Sequence, residues 1–212
     1  MSEDPCPCCD GTDTLNAESG ASAERWITDG CVLDAELPRN LRSDLGRFLG
    51  MESVDTLGEW ILEVRRCVDG DSITVEGLCL TDETTAHWGT VAGQRYRFAC
   101  FYDAVILAAL TDRPVDIRTK SPDGTVIHAH AAGTDELSVT HTEAVFSFGI
   151  DEAVETPSND RPTLERGYAA ICPYVKAFPE PKAYERWAKS VSAATIAMPL
   201  AGATELAAEL VR

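Results

Sequence analysis

The chain has 212 residues, 44% of them hydrophobic, which is enough for one domain of ordinary size or two small ones. It carries 35 acidic against 18 basic residues, a formal charge of −17, with lysine only at Lys120, Lys176, Lys182 and Lys189. That balance argues against nucleic acid as a partner, since phosphates need clustered Lys and Arg and Arg65-Arg66 is the sole adjacent basic pair; no run reaches the roughly 18 apolar residues of a membrane span.

An acidic, lysine-poor, alanine- and threonine-rich composition is similar to that of proteins from salt-loving archaea, where salt screens the self-repulsion of a carboxylate surface. An ordinary acidic cytosolic protein is the plainer alternative. The opening MSEDPCPCCDG is acidic and lacks the apolar stretch of a secretory signal, so a cytoplasmic location is expected. In a reducing compartment Cys6, Cys8, Cys9, Cys31, Cys67, Cys79, Cys100 and Cys172 are expected as thiols.

Residues 1–33 are rich in Ser, Asp, Glu, Gly and Ala and read as a flexible tail. Its CPCC could hold a soft metal, with Cys31 as a further ligand, although C-x-C-C is not the usual C-x2-C knuckle. Residues 34–82 read as a helical, winged-helix-like part. A helix is expected over Pro38–Leu49, with Leu41, Leu45, Phe48 and Leu49 on one face and Gly50 as its stop. A second is expected after Asp55 as N-cap, with Leu57, Trp60, Ile61 and Val64 on one stripe. Asp69-Gly70 then predicts a hairpin turn, with Ile73 and Val75 alternating beyond it. Cys67 and Cys79, in apolar surroundings, read as small core residues.

Residues 83–212 mix helix and strand with no regular βαβ period, so the fold class expected is α+β with a largely antiparallel sheet. Phe101–Leu110 is apolar nearly all round and predicts a buried helix. Val115, Ile117 and Thr119 alternate as a strand, Ser121-Pro122-Asp123-Gly124 is a turn, and Thr125–Ala131 returns as a second strand. More β structure is expected over Val139–Phe148, a polar loop over 155–161, a short strand over Tyr174–Phe178, and a helix over Lys182–Ser190. A strand over Thr195–Leu200 and a helix from Thr204 complete the chain. His128 and His130 share a face of their strand and, lacking a third ligand nearby, read as a solvated surface.

The chemistry gathers at three residues. Cys100 sits where an extended segment meets a helix, and the positive end of the helix dipole favours a thiolate there. Asp103 follows three residues on, on the same face of an apolar helix, where burial should raise its pKa enough for it to carry a proton. Cys172 precedes Pro173, which biases it towards extended backbone. Such a set supplies soft nucleophiles and a general acid.

VDGDSITVEGLCLTDETTAHWG, then Cys100-Phe101-Tyr102-Asp103, then Cys172-Pro173-Tyr174-Val175-Lys176-Ala177-Phe178 and Trp187 resemble the organomercurial (alkylmercury) lyase family from about residue 55 to the C-terminus. The resemblance implies a winged-helix-like N-terminal part and a mixed α/β catalytic core. It implies that Cys100 and Cys172 bind mercury, that Asp103 transfers a proton, and that no bound cofactor is needed. It also implies low-molecular-weight thiols or a mercuric reductase as partners that remove Hg²⁺, a step in which Cys6, Cys8 and Cys9 could assist. Two departures stand out: the strand VDIRTKS lacks a cysteine that many relatives carry, and Pro173 stands where relatives have a second cysteine. The alternatives are a non-catalytic soft-metal (Hg or Cu) binder on the same fold and a metal-sensing winged-helix regulator, the latter disfavoured by charge. A thiol–disulfide oxidoreductase is less consistent still, because neither Cys100 nor Cys172 lies in C-x-x-C.

Overall fold

Two amphipathic helices, α1 (Arg39–Leu49) and α2 (Leu57–Cys67), form where the spacing of apolar residues requires them. The computed structural model describes residue 27 and residues 32–67, 73–134, 136–155 and 162–212. Helix α1 buries Leu41, Leu45 and Phe48 and ends at Gly50, whose φ of 72° is the left-handed geometry that closes a helix. Helix α2 is capped by Thr56 rather than by Asp55: Thr56 Oγ1 accepts the Glu59 N–H at 3.1 Å. The Glu59 carboxylate reaches back to accept the Asp55 N–H at 2.7 Å, one residue before the cap, so T-x-x-E closes the helix start much as a capping box does, with Thr56 as the cap. The Asp55 carboxylate turns instead to Arg42, 2.8 Å away.

The hairpin expected after α2 is not found as predicted. Its turn, Asp69-Gly70, lies outside the described residues. Val75–Gly77, where the expected strand falls, forms a 3-10 turn in which Thr74 Oγ1 accepts the Gly77 N–H at 3.3 Å. A threonine hydroxyl that satisfies a nearby N–H competes with strand pairing, and the two alternating residues Ile73 and Val75 are too short a run to overcome it.

Five strands then form one antiparallel sheet: β1 (His87–Val91), β2 (Gln94–Phe98), β3 (Pro114–Lys120), β4 (Val126–Ala132) and β5 (Glu136–Val139), in the order β2-β1-β3-β4-β5. Ala92 (φ 50°) and Gly93 (φ 83°) join β1 to β2 in a two-residue turn with both centres left-handed. Alanine is an unusual occupant of such a turn, so local sequence carries little warning of this hairpin. Between β2 and β3 the chain makes α3 (Tyr102–Thr111), with every side chain from Tyr102 to Ala108 buried, as its all-round apolarity requires. Gly89 on β1 lets α3 lie against the sheet: a Cβ there would meet Val115 Cγ1 at 3.0 Å and Ala104 Cβ at 3.3 Å.

A second antiparallel sheet has the order β7-β6-β8, from β6 (Val145–Asp151), β7 (Ala177–Phe178) and β8 (Ala193–Pro199). The expected Val139–Phe148 β region therefore divides between two sheets, and the expected Tyr174–Phe178 strand shortens to two residues. Helices α4 (Leu164–Ile171), α5 (Pro181–Ala188) and α6 (Ala203–Val211) complete the α+β fold. One hydrophobic cluster runs through the molecule from α1 and α2 to the later elements. Trp60 links the halves, with its ring 6.0 Å from Phe48 and 6.1 Å from Phe148. Among the described residues no helix is long and apolar enough to cross a membrane.

Candidate functional site

The first two site residues are set by the junction of β2 and α3. Strand β2 ends at Phe98, Ala99 N–H donates to the Cys79 carbonyl at 2.9 Å, and the chain turns through Cys100 into α3. Asp103 is the second residue of that helix. Tyr102 fastens the junction: its hydroxyl donates to the Ala203 carbonyl at 2.7 Å and its ring stacks on Phe146 at 5.7 Å. Cys172 arrives from α4, about seventy residues later in the chain. Here the structure corrects an expectation, because Cys172 is helical (φ −54°, ψ −34°) rather than extended. It is the C-cap of α4 and the first residue of a 3-10 turn, Cys172–Tyr174, closed by Val175 N–H donating to the Cys172 carbonyl at 3.3 Å. The bias that a proline imposes on its predecessor yields to the turns on either side.

Cys100 Sγ, a carboxylate oxygen of Asp103 and Cys172 Sγ all lie within 4.8 Å of one another. Among the described residues this is the one group of three or more Cys, His, Asp or Glu side chains so gathered. Asp103 is 3% exposed. Burial pushes its pKa up to about 7, against the lowering effect of the backbone N–H groups of Cys79 and of Asp103 itself. Its Oδ2 is buried without a hydrogen-bond partner. The Cys172 thiol is also pushed up, first by its hydrogen bond to Cys100, then by burial and by the negative charge that Cys100, Asp103 and Cys79 can carry. The cluster is thus suited to hold a proton at neutral pH and to offer sulfur to a soft electrophile.

The three groups open on a cavity of about 140 Å³ with almost wholly apolar walls. Phe48 of α1, Trp60 of α2, Phe148 of β6, Ile171 of α4 and Leu210 of α6 are among those walls. The N-terminal helices therefore enclose the site although they carry none of its reactive groups.

The sequence profile of the alkylmercury lyase (MerB) family matches residues 80–212, more than half of the chain and all three clustered side chains. The chain belongs to the alkylmercury lyase family. Among solved structures, the mercury-bound form of MerB2 is similar at 16% identity and a TM-score of 0.47, over 62% of this chain and 60% of that one. This alkylmercury lyase family member thus spans about 60% of the length of that solved relative. No curated protein matches the sequence at a comparable level.

Other sequence expectations fare differently in this member of the alkylmercury lyase family. His128 and His130 lie exposed on β4, and His130 Nδ1 pairs with Asp116 at 2.8 Å, as a solvated strand face would. Cys6, Cys8, Cys9 and Cys31, and the side chain of Cys67, lie outside the described residues. Cys79 is corrected. It is only half-buried and borders the centre, with its backbone N–H on the Asp103 carboxylate and its thiol in hydrogen-bonding contact with Cys172. Tyr168 is a further contributor that sequence reasoning misses: its hydroxyl donates to the Gly77 carbonyl at 2.5 Å and ties α4 to the segment carrying Cys79. No local pattern in the sequence announces either contact.

Proposed function

We propose that this chain cleaves the carbon–mercury bond of organomercurials by protonolysis, releasing a hydrocarbon and Hg²⁺. The observation that carries the reading is the convergence of two thiols and one proton-holding carboxyl within 4.8 Å beside an apolar cavity. Two metal–sulfur bonds of about the zinc–thiolate length, roughly 2.3 Å each, span up to about 4.6 Å, so two sulfurs within 4.8 Å of each other are near enough for one heavy atom to bridge.

Each step follows from a group in the cluster. A thiolate of Cys100 captures R–Hg⁺, since a soft cation prefers sulfur to oxygen or nitrogen. The Cys172 thiol adds as second ligand and its proton passes to the Asp103 carboxylate. Two sulfur donors push electron density onto mercury and make the bonded carbon more basic. Asp103 then delivers its proton to that carbon, the Hg–C electron pair becomes the new C–H bond, and Hg²⁺ stays on the two thiolates. Of the two thiol protons, one ends on the hydrocarbon and the other in solvent. A carboxyl titrating near neutrality both accepts and gives a proton readily, which an exposed aspartate cannot do. The apolar walls suit an alkyl or aryl group and keep water from the carbon.

The reaction belongs in a reducing, cytoplasmic setting that keeps the thiols free, and low-molecular-weight thiols or a mercuric reductase would take the bound Hg²⁺ onward. The test is hydrocarbon release: phenylmercury under excess thiol should give benzene, and methylmercury methane. Cys100→Ala and Cys172→Ala should each abolish release, and full activity in Cys172→Ala would sink the two-thiolate scheme. A soft-metal binder without chemistry would hold mercury and release no hydrocarbon; it would have no use for a carboxyl kept protonated.

A further inference from the structure

Cys79 is absent from the mechanism above, yet it touches two of its three groups. Its position is fixed from both sides. Its carbonyl accepts the Ala99 N–H at 2.9 Å, and its own N–H donates to the Asp103 carboxylate. The next residue, Leu80, bridges Phe98 at the end of β2, and Tyr168 of α4 holds Gly77 just before it. Its thiol is free and in hydrogen-bonding contact with Cys172. Cys100 is buried at 3% exposure, whereas Cys79 is half-buried. Cys79 is also no part of the apolar cavity wall, although its neighbour Leu78 is. The centre therefore has two sides: an apolar one that suits the organic group, and another on which a third sulfur stands nearer to solvent. The buried Oδ2 of Asp103, which has no hydrogen-bond partner, lies in the same cluster and leaves a polar atom there open to a ligand or a proton.

We propose that Cys79 is a third sulfur ligand that takes Hg²⁺ from Cys100 and presents it to thiols in solvent. This rests on the lyase reading for the origin of the bound Hg²⁺. The exchange is balanced without redox change. An Hg–S bond to Cys79 forms first, leaving Hg²⁺ at rest on three sulfurs, and the Hg–S bond to Cys100 then breaks as a solvent thiol arrives. The Cys79 proton passes by way of the Asp103 carboxylate to the freed Cys100 sulfur, and mercury remains Hg²⁺ throughout. The buried Cys100 is thereby reset as a thiol, while the metal sits on Cys172 and Cys79, where an incoming thiol can reach it. Stepwise exchange between neighbouring sulfurs avoids ever exposing a bare thiophilic cation.

The experiment loads the full-length protein and its Cys79→Ser variant with one equivalent of Hg²⁺, without any organomercurial, then adds excess glutathione. The parent should show thiolate-to-mercury absorption extending to longer wavelength, as three sulfurs give, and the variant should lose that extension. Removal of Hg²⁺ by glutathione should be slower in the variant, because the buried Cys100 then has no neighbouring sulfur to pass the metal to, although loss of a ligand by itself would speed release. In phenylmercury turnover the variant should lose more in steady state than in the first benzene burst. Identical spectra and identical removal rates would overturn the proposal. Should Cys79→Ser fail to fold, X-ray absorption on the Hg²⁺-loaded parent decides: three sulfur neighbours support the relay and two overturn it. Because Hg²⁺ itself is the probe, failure of the parent to release benzene would sink the lyase reading and leave this result to stand or fall separately.

Discussion

Asp103 shows how one side chain is given its chemistry by its surroundings. Unfolded, the carboxyl ionises near 3.8; folded, burial holds its pKa at about 7. Between those values the folded chain keeps a proton that the unfolded chain has lost, so stability falls as pH rises across that window. The contribution is whole below about pH 4 and gone above about 7, and a change of that size is worth at most about 4 kcal/mol. Asp103→Asn cannot ionise and should escape this loss. Relative to the parent, the variant should gain stability in urea titrations as pH rises from about 4 to about 8. An unchanged difference would mean the carboxyl is not protonated in the native state. His87, which burial and the charge of Lys176 push down to about 4, tilts the parent curve the opposite way on the acid side. It is common to both proteins and cancels in the comparison. The same variant should still capture mercury, through sulfur, but break the Hg–C bond slowly.

At the scale of elements, the site is a matter of how α3 and α4 are held. Helix α3 approaches the sheet closely because Gly89 has no side chain, and the start of α3 sets Asp103, and Cys100 just before it, towards Cys172. Gly89→Val would force α3 off the sheet, at a cost of about 1–3 kcal/mol for overpacking. Thr56→Ala removes the cap of α2, remote from the sulfurs, at about 1 kcal/mol. Thermal unfolding should register both substitutions, whereas hydrocarbon release measured well below either melting point should fall only for Gly89→Val. Equal activity losses would indicate that the spacing of α3 from the sheet does not govern the reaction. Trp60 belongs to the same scale. It joins α2 to Phe48 and Phe148 and walls the cavity, so an apolar helix stripe legible in the sequence serves both packing and enclosure.

Over the whole molecule the formal charge of −17 outweighs any single ion pair. Self-repulsion of that size opposes the compact state, and screening relieves it as the Debye length shrinks from about 30 Å at about 0.01 M salt to about 3 Å at about 1 M. The melting temperature should therefore climb with potassium chloride over that range, and hydrocarbon release should persist at high salt. A flat or falling melting curve would remove the salt-loving reading of the composition. A winged helix would place its wing at Ile73–Val75, where the described residues form no strand and Val75 enters a 3-10 turn.

The one-dimensional pattern decided a good deal. Stripes of leucine and tryptophan define α1 and α2, all-round apolarity defines α3 as buried, and alternation defines β3 and β4, because these periods follow from backbone geometry alone. Burial of Asp103 was legible too, since a carboxyl in the first turn of an apolar helix has nowhere else to go. Its partners were not. Cys172 is brought to Cys100 by a helical turn that its own proline argues against, and Cys79 reads locally as a small core residue among leucines. Only the packing of α4 against the β2–α3 junction, tied by Tyr168 to Gly77, brings Cys172 to Cys100 and Asp103 and into contact with Cys79. Contacts between residues distant in the chain depend on how whole elements pack, and no local period encodes that.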